Sequence, residues 1–355
     1  MSSHIEKYIP HLADKIEQFF QIISDNEIFC IVWHSNPDGD CLGSMLGLWA
    51  NLEQQGKKVQ YCSSRSHEPS LSSRITDIEK VQYYIDRNNS ILWLDLDTHT
   101  QVVIFVDHNK SNQRSDMKEY MSEFIVNKTT ICIDHHISSW PFTELDIIDE
   151  TSSSACELIR EILDYGLQHK QEFTITKNIA THLYLWLTTD TGQTVGLEYE
   201  LDSIRSHENA LGMLYAGANK QLILKKLNEV TPNMIEFAKR AFGRVKHSKH
   251  CIRLRSTADE ALELGLDGEQ TKMAFRALKW LVGVKILIRF RQADNHRYMS
   301  LRTATWYNVQ EIATQFGGGW HKVASGVKFE NSWDRTEQDL EHIVQKIDDM
   351  VDKNS

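Results

Sequence analysis

The chain has 355 residues, of which 41% are hydrophobic and 25% charged, and its formal net charge is −10. That length suits about two domains, and that composition suits a soluble globular protein. The acidic balance argues against avid binding of long DNA or RNA, which needs many phosphate contacts from Lys and Arg; a short phosphorylated substrate held through metal ions stays open.

Leu12, Ile16, Phe19, Phe20 and Ile23 form a helix stripe. A strand follows at 28 to 33, then the turn PDGD. Leu42, Met45, Leu46 and Trp49 recur as one buried helix face, Gly56 with Lys57 closes that helix, and Val59 to Cys62 can form a second strand. Val102 to Val106 is unbroken and β-branched, as a parallel strand covered on both faces should be. Ile131 to Ile133 and Ile147 to Ile148 are further short runs. Helices are predicted over 152 to 166 and from an N-cap at Thr176 to Leu187. This alternation predicts an α/β fold: a parallel sheet flanked by helices, with a smaller α/β domain after it.

Residues 191 to 235 read as helical and polar. The predicted organisation is a first domain at 1–217, a linker at 218–232 and a second domain at 233–355. In the second, Ala274 to Trp280 reads as a helix, and Val282 to Phe290 and Tyr298 to Arg302 as strands. FGGGWHKVASG at 316 to 326 reads as a glycine-rich turn. Leu340, Ile343, Val344, Ile347 and Val351 share one face of a final helix.

The opening MSSHIEKYIPHLADK lacks a basic segment followed by an apolar core, so no signal peptide is expected. Apolar runs fall far short of the roughly 20 residues that span a bilayer. The six cysteines include no C-x-x-C pair, and Cys30 and Cys132 sit in apolar runs. A cytoplasmic protein without membrane contact is expected.

Chemistry gathers where strands end. The first strand gives His34, Asp38 and Asp40; VVIFVDHN gives Asp107, His108 and Asn109; TICIDHHISS gives Asp134, His135 and His136; the helix ending LYLWLTTDTG gives Asp190. Ligands of open α/β sheets bind beyond the carboxyl ends of the strands, so these residues should converge. Two unit charges 4 Å apart repel by about 4 kcal/mol at an effective dielectric of 20. Divalent cations resolve that repulsion. Mixed oxygen and imidazole ligands suit manganese, zinc or iron better than magnesium alone. The number of ligands suits two ions, a pair that steadies both the attacking and the leaving oxygens of a phosphoryl group. Taken singly, each piece has a plainer reading: Asp40 as a cap of the helix after it, the His135–His136 pair as a surface accident, His108 as a turn residue.

H-x-x-x-D-x-D at 34 to 40, Asp107 after a strand, Asp134-His135-His136 and Asp190 in TDTG resemble the four motifs of the DHH phosphoesterase superfamily. SLRT at 300 to 303 and FGGGWHKVASG resemble the DHH-associated C-terminal domain. The resemblance spans nearly the whole chain, with the nearest likeness to the bacterial nanoRNase and phosphoadenosine-phosphate phosphatase branch. It implies that His34 and Asp38 bind one ion, that Asp40, His135 and Asp190 bind a second, and that Asp107 bridges them, with Mn2+ the expected metal. It implies that His136 faces the substrate phosphate and that Asp134 orients its neighbours. It further implies that Arg302, Gly317, Gly318, Gly319 and His321 bind the nucleotide end, across a cleft that measures substrate length. The expected activity is hydrolysis of very short RNA to nucleoside 5′-monophosphates, with phosphoadenosine-phosphate phosphatase as a second activity, in a homodimer. Trp320 stands where the family often has a fourth glycine, and Ala324-Ser325-Gly326 replaces Ala-Ala-Gly. The alternatives are a cyclic- or linear-dinucleotide phosphodiesterase, a RecJ-like single-strand exonuclease, a manganese pyrophosphatase (which Asp107-His108-Asn109 echoes) and a non-catalytic nucleotide-binding regulator.

Overall fold

A computed structural model describes residues 3–33, 39–63, 82–83, 98–107, 124–136, 143–169, 174–190, 204–222, 225, 229–266, 268–273, 275, 278, 281–293, 296–303, 307–320, 322–329 and 337–353. The described residues fall into two compact units, dividing at residue 228.

The first unit opens with α1 (His4–Tyr8) and α2 (Ala13–Asp25). It continues with β1 (Ile28–Val32), α3 (Gly39–Gln54), β2 (Lys58–Ser63), β3 (Gln82–Tyr83), β4 (Val102–Val106), β5 (Thr129–Asp134) and β6 (Leu145–Ile148), and ends with α4 (Ala155–Gln168), α5 (Lys177–Asp190) and α6 (Ile204–Tyr215). The strands pair in parallel in the order β3-β2-β1-β4-β5-β6. All five residues of β4 are buried, because helices cover both faces of a parallel sheet. The order reverses between β1 and β4, which opens a crevice at their carboxyl ends.

Two boundaries differ from the sequence reading. The helix expected from 152 starts at Ala155, because Ser154 is its N-cap and accepts the N–H of Glu157 at 3.0 Å. The helix expected to end at Leu187 runs on to Asp190.

The second unit contains α7 (Pro232–Phe242), β7 (Lys246–His247), β8 (Cys251–Thr257), α8 (Ala258–Glu263), α9 (Gly268–Met273), β9 (Ile286–Ala293), β10 (His296–Arg302), α10 (Val309–Thr314), β11 (Gly319–Trp320), β12 (Ala324–Phe329) and α11 (Glu337–Lys353). Its sheet runs β11-β12-β10-β9-β8-β7, parallel only between β8 and β9. The stripe Leu340, Ile343, Val344, Ile347 and Val351 packs with Ile286, Ile288, Met299 and Leu301 on one face; Phe237, Ala241 and Phe275 pack with Leu254 and Leu287 on the other. The strand expected from Val282 begins at Ile286. Val284 donates to the carbonyl of Leu281 and Gly283 has φ +85°, so the apolar run first turns. The helix expected over 274 to 280 falls mostly outside the described residues. The turn expected at 316 to 326 is partly strand, since Gly319 pairs with Gly326 and Trp320 with Ser325.

Candidate metal centre

Each described side chain of the site is placed by the end of a regular element. β4 stops at Val106, and Asp107 follows with φ +50° and an N–H donated to the carbonyl of Ile133 at 3.0 Å. A left-handed backbone is uncommon for a residue with a side chain, and such conformations persist where the surroundings enforce them. β5 delivers Asp134 and then His135. Asp40 lies in the first turn of α3. Asp40, Asp107 and Asp134 are buried, at 1%, 2% and 0% exposure.

The distances draw these groups together. His135 Nε2 lies 3.5 Å from Asp40 Oδ2 and 3.6 Å from Asp107 Oδ1, and His136 Nδ1 lies 3.5 Å from Asp107 Oδ1. Asp107, His135 and His136 offer ligand atoms that all lie within 4.8 Å of one another. Asp134 Oδ1 accepts from the backbone N–H of His135 at 2.7 Å, that of His136 at 3.3 Å, and His136 Nδ1 at 2.8 Å.

His135 Nδ1 faces the carbonyl oxygen of Ser152 at 3.3 Å. A carbonyl can only accept, so Nδ1 carries a proton and Nε2 is turned toward the acids. The same short segment holds Asp40: Ala155 N–H donates to its Oδ2 at 2.6 Å and Cys156 N–H to its Oδ1 at 2.9 Å. Asp40 thus caps α4, and the positive end of α4 favours its charge. Behind the segment, the buried Glu157 carboxylate accepts Ser152 Oγ, Ser153 N–H and Ser153 Oγ on Oε2, and Asn209 Nδ2 on Oε1.

Burial disfavours the charged form of His135. Its contact with Asp107 and the fields of Asp40, Asp107 and Asp134 outweigh that and hold its pKa well above the usual histidine value. His136 is also raised: burial opposes, but the hydrogen bond to Asp134 and the charge of Asp107 win. Burial pushes Asp134 up, and its bond to His136 overcomes this and lowers it. The cluster therefore draws positive charge to itself. Carboxylate oxygens mixed with imidazole nitrogens fit a divalent transition metal.

The structure brings together Asp40, Asp107, His135 and His136. His34, Asp38, His108 and His321 lie outside the described residues, as do the side chains of Asp190 and Trp320. Asp190 is the last residue of α5. In the second unit, Arg302 Nη1 donates to the carbonyls of Leu301 at 2.9 Å and Ser325 at 3.4 Å. Gly317 has φ +78°, and a Cβ on Gly318 would run into the carbonyl oxygen of Gly326. Two of the three glycines are thus demanded by the backbone itself. The reading from sequence missed Ser152, Glu157 and Asn209. The run SSSACE at 152 to 157 carried a signal, because Ser followed three residues later by Glu marks a helix start.

Residues 28–185 match the DHH family, N-terminal domain. The chain is 25% identical over 344 residues to a bifunctional oligoribonuclease and PAP phosphatase of Mycoplasma genitalium, covering 91% of this chain and 93% of the relative. It is 22% identical to the protein of that description from Bacillus subtilis, covering 86% and 90%. A solved exopolyphosphatase-related protein from Bacteroides fragilis shares the fold with a TM-score of 0.79 at 20% identity, over 94% of this chain and 95% of that one. Among the described residues, no helix is long and apolar enough to cross a membrane.

Proposed function

From the premise that residues 28–185 belong to the DHH family, we propose that this protein is a two-metal phosphodiesterase. It hydrolyses very short RNA to nucleoside 5′-monophosphates and, as a second activity, removes the 3′-phosphate of phosphoadenosine phosphate. One observation carries the reading: two buried carboxylates and two imidazoles converge where the strand order reverses. Relatives named for these activities match over more than four-fifths of the chain and support it.

In this reading Asp40, Asp107 and His135 hold divalent ions together with His34, Asp38 and Asp190, with Asp107 shared between them. Ions bound there, manganese first among the candidates, would neutralise the carboxylates and polarise a phosphoryl oxygen. The chain does the rest. Ser152 keeps the proton on His135 Nδ1, so that Nε2 is the ligand atom. Asp134 keeps His136 Nδ1 occupied and leaves Nε2 to face a phosphate. Arg302, the turn at Gly317 to Gly319 and His321 bind the nucleotide end, and the enzyme acts as a cytoplasmic homodimer.

The test is a product assay on purified protein with manganese. A 5′-phosphorylated RNA dinucleotide, a strand of roughly 20 nucleotides and pyrophosphate are compared, with Asp107→Asn as control. Cleavage confined to the dinucleotide is expected. Turnover of pyrophosphate alone would replace this reading with a pyrophosphatase.

A further inference from the structure

Charge is divided unevenly along the chain. Residues 228–355 hold 20 of its 39 Lys and Arg but only 17 of its 49 Asp and Glu. The acidic balance therefore lies before residue 228, and the second unit is mildly basic. Part of that surplus is gathered on one face of the second sheet. The strands β9, β10, β11 and β12 contain no acidic residue. Side chains alternate along a strand, so the register fixes which cations share a face.

Arg289 pairs with Ser300, Ser300 with Gly326 and Gly326 with Gly319. To one side of that row stand Arg291, Tyr298 and Lys328, paired in that order; to the other stand Leu287, Arg302 and Ala324. All lie on the face that carries Leu254 and Leu287, opposite the face under α11. Phe237 and Phe275 cover the leucines, whereas Arg289, Arg291, Tyr298, Ser300 and Arg302 are half-buried and Lys328 is exposed. Neighbours hold two of the guanidinium groups. Arg289 Nε donates to Ser256 Oγ at 3.3 Å and its guanidinium lies 4.8 Å over the Phe275 ring; that of Arg291 lies 4.7 Å over Tyr298. Forked donors anchored in this way lose little freedom when they meet a phosphate. From Arg302 to Tyr298 the face runs roughly 14 Å along β10. A stacked strand carries one charge per about 3.4 Å of axis, so the face is long enough for more than one phosphate.

We propose that Arg291 and Lys328, with Arg289 beside them, bind a second phosphate of the nucleotide whose other end lies at Arg302, so that this face selects a dinucleotide over a mononucleotide. The row of Ser300, Gly326 and Gly319 between them has small side chains or none, which suits an uncharged sugar. The inference rests on the reading of the second unit as the nucleotide-binding part. It adds to that reading three cations that lie outside the glycine turn and Arg302.

The experiment is equilibrium dialysis of the full-length, metal-free protein against adenosine 5′-monophosphate and a 5′-phosphorylated RNA dinucleotide, at several salt concentrations. Wild type is compared with Arg291→Gln/Lys328→Gln and with Lys328→Gln, which changes an exposed side chain only. Circular dichroism checks that both variants are folded. Wild type should bind the dinucleotide about tenfold or more tighter than the monophosphate, with log K falling more steeply against log salt by about 0.7 for the added phosphate. The double variant should lose that preference and the extra slope while keeping its affinity for the monophosphate, and Lys328→Gln should lose part of both. Side chains that served the fold alone would leave the slopes unchanged. The proposal is overturned if the double variant keeps the wild-type preference, or if wild type shows none. A dinucleotide preference without hydrolysis in manganese would instead sink the phosphodiesterase reading and leave this one standing.

Discussion

The first unit buries two groups of charges, and they differ in where the positive charge comes from. In one, Arg205 Nη1 contacts Asp149 Oδ2 at 2.6 Å, and its Nε and Nη2 contact Glu161 at 2.8 and 2.5 Å. In the other, Asp40, Asp107 and Asp134 face His135 and His136. Arginine is always charged, so the first group carries its own cation. Imidazoles are charged only when protonated, so the second group takes its positive charge from the solvent, as protons or as metal ions. The first arrangement is finished as folded; the second is built to accept something.

The largest expected effect breaks that distinction at its centre. Asp107→Asn keeps the shape and tolerates φ +50°, but removes the charge shared by both histidines. Turnover should fall by about 10³-fold or more. The melting point of the metal-free protein should change little, because Asp107 repels Asp134 but attracts the protonated His135 and His136. A large loss of stability without metal would mean that the acid serves the fold, and the comparison would fail.

Arg205→Met is the mirror experiment. It leaves Asp149 and Glu161 buried at 3% and 0% exposure without their cation. Removing one partner of a buried pair costs roughly 3–5 kcal/mol. Chemical denaturation should register that loss, while manganese affinity measured on the folded fraction stays near wild type. Next in size, manganese at 100 times its dissociation constant should stabilise wild type by about 2.7 kcal/mol. It should release a proton as it binds, since His135 is raised and a ligand nitrogen must be neutral. A melting point indifferent to manganese would remove the metal from the account.

A smaller effect joins the two groups. Glu157 holds the serines that present Ser152 O to His135, and Asn209, which touches Glu157, also donates to Glu161 at 2.8 Å. Glu157→Gln turns one acceptor into a donor facing Asn209. Manganese affinity should drop about 10–100-fold, the range typical of residues behind a ligand. Titration followed by electron paramagnetic resonance would measure it; unchanged affinity would make Glu157 part of the fold alone.

Much of the acceptor group was legible because each member follows an apolar run, and a strand-end acid can be read without knowing what it touches. The compensated group was not. Arg205 lies 56 positions from Asp149 and 44 from Glu161, and nothing in a polar helix marks that its one arginine turns inward. Asp40 could be read as a cap, but not as the cap of a helix 115 positions away. β8 escaped because CIRLRST alternates arginines with apolar residues; Arg253 is nevertheless buried, at 6% exposure. The run through Val282 to Phe290 misled in the opposite way, since its apolar character continues through the turn at Gly283. Periodicity reports which residues share a face. It does not report where the chain bends, or which distant charges meet.

The smallest effect separates the two groups by pH. Burial alone would raise Glu161, but its hydrogen bonds to Arg205, His4 and Asn209 prevail and its pKa is lowered. A lowered carboxylate contributes stability above its unfolded value of about 4.3, and loses that contribution as pH falls through the folded value. Wild-type stability from this group should therefore hold from pH 7 to about 5 and fail only in stronger acid. In Arg205→Met the main opposing contact is gone and burial dominates, so the folded pKa of Glu161 should rise above the unfolded one. A raised carboxylate penalises the folded state at high pH and ceases to do so as pH falls through the folded value. The variant should thus gain stability on acidification from pH 7 to 5, by about 1.4 kcal/mol for each unit by which the folded value exceeds 5. Denaturant midpoints of both proteins across that range, in the absence of metal, would measure the sign. Parallel profiles would mean that Arg205 does not set the charge of Glu161, and that the compensated group is held by its hydrogen bonds alone.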